Sequence, residues 1–172
     1  VTSSGRSEQL EVVMKQRAFA VVCFASGFLL AASAAAYAQD PNLGTWRVDV
    51  AKSRYNPTDL APKSLTVRSS AVGKGLNVVV DVVDSAGMPL HYEYTVMYDG
   101  RDAPVKGDPG RDTTAMKRID DLTFEQTNKR DGKTTTVSRF VYARDGKSRT
   151  QTTTGMNPQG QKINNTVVWI RQ

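Results

Sequence analysis

The two residue types that most often do chemistry are almost absent from this chain. It has one histidine, His91, and one cysteine, Cys23. His91 stands two residues before Glu93, and in an extended segment that spacing puts both side chains on one face. Such a pair could act as a general base oriented by a carboxylate. It reads more simply as a surface histidine beside an acid. No Gly-x-Ser-x-Gly elbow accompanies it, so a serine hydrolase has no support. Zinc draws on several nitrogen or sulfur ligands, and a single histidine does not supply them. Oxygen ligands for calcium are available at Asp99 and Asp102, and at Asp108 and Asp112. Neither pair has the acid density of a calcium loop, and turn formation explains them better. The expectation is therefore no metal, no cofactor and no catalytic residue, and a chain that is not an enzyme.

What remains is aromatic. Tyr92, Tyr94 and Tyr98 alternate with the apolar Leu90 and Val96 on one face, and Phe124, Phe140 and Tyr142 come from later segments. These six aromatics are the candidate ligand-binding residues. Rings give apolar area, and tyrosine hydroxyls add a few polar handles. The plainer reading is that they fill the core.

Short extended segments must position these rings. Asn42-Leu43-Gly44-Thr45-Trp46 opens the first, and Trp46, Val48 and Val50 then alternate with Arg47 and Asp49. A period of two is the signature of a strand. Ala51 to Pro62 carries two prolines and predicts an ordered loop, with at most one helical turn capped by Ser53. Further strands are predicted from Leu65 to Ser69, Leu76 to Asp84, Leu90 to Tyr98, Thr113 to Ile119, Leu122 to Asn128, Thr134 to Tyr142, Arg149 to Thr154 and Ile163 to Ile170. A short extended piece is expected near Ala103 to Lys106. The Asp-Gly pairs at 99–100, 131–132 and 145–146 mark tight turns, with both turn residues expected at positive φ. The polar run Arg149 to Thr154 implies a solvent-facing sheet side or a partly wet interior. No stretch after residue 38 carries apolar residues at helical spacing over three turns. The fold class is all-β: an antiparallel up-and-down meander of about 8–10 strands. Closing such a meander into a barrel removes both exposed edges. The alternative is a two-sheet sandwich with a filled interior.

The segment before the first strand has a different character. Met14-Lys15-Gln16-Arg17 is basic, residues 18–38 carry no charge, and the run ends in Ala36-Tyr37-Ala38. This order predicts a secretory signal peptide cleaved after Ala38. Residues 1–38 are then an upstream extension and a signal helix, and residues 39–172 form one domain. Val21 and Val22 precede Cys23, so no lipid anchor is expected. The domain has no cysteine and must rest on its core. Its net charge is +5, against +6 for the whole chain, once Arg6, Lys15, Arg17, Glu8 and Glu11 are set aside. These charges are scattered and mixed in sign, unlike a nucleic-acid face. The expected location is periplasmic or secreted, with membrane contact only during export.

Gly44-Thr45-Trp46 resembles the Gly-x-Trp motif on the first strand of the lipocalins and their calycin relatives. Ala51-Lys52-Ser53, Ala61-Pro62-Lys63-Ser64-Leu65, Tyr98-Asp99-Gly100 and Asn157-Pro158-Gln159-Gly160 extend the likeness. They make residues 42–172 similar to small secreted bacterial proteins described as lipocalin-like. The resemblance implies a lipocalin-like barrel in which Arg171 packs over Trp46 beside Gly44 and closes the base. It also implies binding of a small apolar or amphipathic ligand. The alternative role is a cell-envelope structural or protein-interaction module with a filled barrel.

Overall fold

The computed structural model describes residues 40–172. The predicted signal peptide and its cleavage point lie outside the described residues. Ten strands follow one another in order: β1 (Gly44–Arg54), β2 (Ser64–Val72), β3 (Gly75–Val83), β4 (Pro89–Met97), β5 (Ala103–Lys106), β6 (Thr113–Arg118), β7 (Thr123–Arg130), β8 (Lys133–Tyr142), β9 (Ser148–Met156) and β10 (Lys162–Arg171). Each pairs antiparallel with its neighbours in sequence, and β1 pairs with β10, so the sheet closes into a barrel. The architecture is an up-and-down β-barrel rather than a sandwich. Closure satisfies the backbone groups that two sheet edges would leave open.

Alternation decides what faces inward. Leu76, Val78 and Val80 of β3 are buried, as are Tyr92, Tyr94 and Val96 of β4. Their register puts Val78 opposite Tyr94 and Val80 opposite Tyr92. Strand β5 is the thinnest part of the wall. Only Glu93 and Tyr94 pair with it on one side, and Thr113 and Thr114 on the other.

Three local expectations are corrected. Strand β1 runs on through Ala51-Lys52-Ser53-Arg54 instead of giving way to a loop, with its register to β10 shifting between Asp49 and Arg54. That irregularity turns Val50 outward, against the predicted alternation. Ser53 caps no helix. Its hydroxyl donates to the Asp49 carbonyl (2.6 Å) and accepts from the Val168 amide (3.0 Å), stitching β1 to β10. The single turn of 3-10 helix is Thr58–Leu60, with no side-chain cap. Finally, both residues of an Asp-Gly pair have positive φ only at Asp131 and Gly132 (49° and 72°). At 99–100 and 145–146 the glycine alone does so.

Candidate functional site

The barrel encloses a cavity of about 310 Å³ that reaches the loop residues Asp108, Gly110, Asn157 and Pro158 at one end. Its wall has two characters. Strands β2 and β3 contribute Val67, Leu76, Val78 and Val80. Strands β7, β8 and β9 contribute Gln126, Asn128, Ser138, Gln151 and Thr153. One side of the lumen is aliphatic and the other is lined with amides and hydroxyls.

The six predicted aromatics divide into two groups. Tyr92, Tyr94 and Phe140 line the cavity. Tyr98, Phe124 and Tyr142 form a packed layer beneath it with Trp46. Trp46 and Tyr142 meet edge to face at 5.4 Å, Phe124 and Tyr142 at 5.7 Å, and Tyr98 lies 5.3 Å from Phe124. Edge-to-face pairs set the positive ring edge on the negative face and favour such distances. The guanidinium of Arg171 lies 4.5 Å over Trp46. It also donates to the carbonyls of Gly146 (2.7 Å), Leu43 (2.6 Å) and Pro41 (2.9 Å). Gly44 keeps this route open: φ is +101°, and a Cβ there would stand 3.0 Å from Arg171 Nη1. The base is thus locked by the segment before β1 and the end of β10.

Asn42 is the hub of that base. It is buried, donates from Nδ2 to Asp40 Oδ1 and Tyr98 Oη (both 3.1 Å), and accepts from the Tyr142 hydroxyl. The Trp46 indole donates to its carbonyl (3.3 Å). The Tyr98 hydroxyl in turn donates to Asp40. Burial raises the pKa of Tyr98, and the Asp40 carboxylate beside it adds to the effect.

The polar wall is mostly satisfied within itself. At the rim, Arg111 donates to Asp108 (2.6 Å), Asn128 (2.9 Å) and the Tyr92 hydroxyl (2.8 Å). Gln126 links Tyr94 and Thr114, each at 3.0 Å. Deeper, Gln151 accepts from the Trp169 indole (3.0 Å) and donates to Ser138 and Thr153. Burial pushes the Tyr92 phenol up to about 12, against the pull of Arg111.

Two groups are exceptions among the described residues: the Tyr55 hydroxyl, buried without a partner, and Arg149, which alternation in β9 did not reveal. Arg149 is 6% exposed and lines the cavity. Its Cζ lies 4.7 Å from the Trp169 ring centre, 4.9 Å from Trp46, 5.1 Å from Phe140 and 5.5 Å from Tyr142. Among the described residues its one side-chain hydrogen bond runs from Nη1 to the Tyr142 hydroxyl (2.6 Å). Its Nε is buried without a partner. An isolated buried charge costs several kcal/mol, and ring faces offset about 1–2 kcal/mol of that each when desolvated.

The other sequence candidates stay apart. His91 turns from Glu93 to the facing strand, where its Nδ1 meets Asp81 at 2.7 Å on the exposed outer surface. The hydrogen bond from His91, joined by that from Arg68, holds the Asp81 carboxyl below its ordinary range. Glu93 lies 3.9 Å from Lys106. Strand β4 carries no arginine to join the His91 and Glu93 pair as an anion-binding partner, and Arg139 sits on β8 opposite Glu125, with β5, β6 and β7 between it and β4. The turn aspartates do not converge: Asp102 pairs with Lys129, Asp108 with Arg111, and Asp112 accepts from the Asp131 amide. Among the described residues no cluster of three or more metal-ligating His, Cys, Asp or Glu side chains occurs.

No family model and no curated protein matches the chain. Among solved structures it is similar to the S-type phycobiliprotein lyase CPES from Guillardia theta. Identity is 11% and the TM-score 0.45, over 77% of this chain and 89% of that one. One expectation is corrected by that comparison. A protein to which the chain is similar bears the name of a lyase, so scarce histidine and cysteine do not mark this chain as a non-enzyme. At this TM-score the likeness says nothing more about it.

Proposed function

We propose that the barrel is an exported carrier or receptor for one small amphipathic molecule held in its lumen. The observation that carries this reading is the cavity of about 310 Å³ between an aliphatic wall and a polar one. Ligand pockets of small molecules begin at about that size and combine apolar lining with a few placed polar groups. Tyr92, Tyr94 and Phe140 are the aromatic contacts of this reading. A filled barrel, the alternative role, would leave no such space. Export rests on the basic segment, uncharged run and Ala-x-Ala end of residues 14–38.

The test is uptake of the neutral fluorophore N-phenylnaphthylamine. The expected result is saturable binding of one probe per barrel. Thr153 lines the cavity and is only partly buried, so Thr153→Phe fills the lumen without disturbing the base. It is expected to weaken uptake by about tenfold or more, as lost space turns into steric clash. No uptake by the unmodified protein, with nothing released from it in native mass spectrometry, would overturn the proposal.

A further inference from the structure

The two arginines of the lumen are held in opposite ways. Arg111, at the rim, has a carboxylate partner in Asp108 and a neutral acceptor for each of its other nitrogens. It is complete as it stands. Among the described residues, Arg149, at the floor, has no carboxylate within 4.0 Å, and its buried Nε has no acceptor. The nearest acid linked to it is Asp40, reached only through the Tyr142 hydroxyl and the Asn42 side chain. That chain of bonds occupies Nη1 alone. The edge of the guanidinium formed by Nε and Nη2 is left without a partner, in a residue that lines the cavity.

We infer that this edge is the seat of an oxyanion, and that the ligand of the lumen is an amphiphile with a single carboxylate or similar anionic head. The geometry supplies both halves of the recognition. A guanidinium edge offers two parallel N–H donors, which match the two oxygens of a carboxylate. The surrounding rings of Trp46, Phe140, Tyr142 and Trp169 pack about the guanidinium and hold that edge in place. The body of the ligand then lies along Val78 and Val80, with Gln151 and Thr153 across from it. A neutral head of the same size leaves the cation unpartnered, and a site built around a buried charge rejects ligands that lack the matching group. A cationic head is repelled outright.

This inference rests on the lumen being a ligand site, and the experiment separates the two claims. Decanoate and decanol share a tail and differ in the head. Their binding is measured by calorimetry on the whole protein, beside the neutral fluorophore above. The expected result is that decanoate binds at least about tenfold more tightly than decanol, in keeping with a bidentate charged contact. Arg149→Met, which keeps the length and fills the aromatic cage, is expected to abolish that preference in a barrel that circular dichroism shows to be folded. Arg149→Lys keeps the charge without the fork and is expected to fall between. Equal affinity for decanoate and decanol in the unmodified protein overturns the inference and leaves the lumen reading standing. So does a preference that survives in a folded Arg149→Met barrel. Failure of all three compounds to bind removes the lumen reading itself.

Discussion

Each tyrosine of the described barrel is a phenol held away from water. Burial raises the pKa of Tyr55, Tyr94, Tyr98 and Tyr142, and that of Tyr92 to about 12. The unfolded chain loses these protons near pH 10. Above that, the folded state binds more protons than the unfolded one, so stability falls as pH rises. The contribution is whole below about pH 10 and, for Tyr92, is spent by about pH 12. Denaturant titrations at stepped alkaline pH should show this decline. Tyrosinate absorbance should appear together with unfolding and not before it; smooth ionisation of a folded barrel near pH 10 would contradict the burial. Arg149 shows the limit of reading single residues from sequence. Along β9, Arg149, Gln151 and Thr153 alternate with Thr150, Thr152 and Thr154. Both faces are polar, so nothing in the order marks which side carries a buried charge. Tyr92 and Tyr94 were legible because aliphatic neighbours shared their face.

At the scale of elements, the base depends on the last residues of β10. Arg171 joins the carbonyls of Pro41, Leu43 and Gly146 and covers Trp46. Hydrogen bonds from a charged donor contribute about 1.5–3 kcal/mol each when buried, less where solvent reaches them. Arg171→Ala is expected to cost about 2–4 kcal/mol. The measurement is the shift in urea midpoint at unchanged slope. Gly44→Ala should act on the same contact, through strain at positive φ and displacement of the guanidinium. Strands β3 and β4 stood out in the sequence because Leu76, Val78 and Val80 alternate with residues that face water. The far end of β1 did not. Ala51 to Arg54 is exposed or half-exposed and carries a register shift, so it lacks both the apolar face and the even period that announce a strand.

For the molecule as a whole, the meander was readable from its turns, and the two edges it would leave open argued for the closed barrel that the structure shows. A sandwich and a barrel ask the same of each strand. The choice falls to the pairing of the first strand with the last, where Val48 faces Trp169 and Trp46 faces Arg171 across the seam. The inward ring of Trp46, Tyr142 and Phe124 then sets the floor of the lumen, and the space above it follows from smaller side chains on β2, β3 and β9. Under the proposed function, a closed wall also has to let a ligand pass. Strand β5 bears on this, since it is four residues long and is held by two residues on either side. Breathing of a hydrogen-bonded sheet concentrates where fewest bonds must break together. Amide protons of Val105 and Lys106 should therefore exchange with deuterated water well before those of Val78 and Val80. The wall behind Tyr94 would then serve as a shutter, and the speed with which the barrel fills and empties would be set by the opening of one short strand and not by the width of the rim.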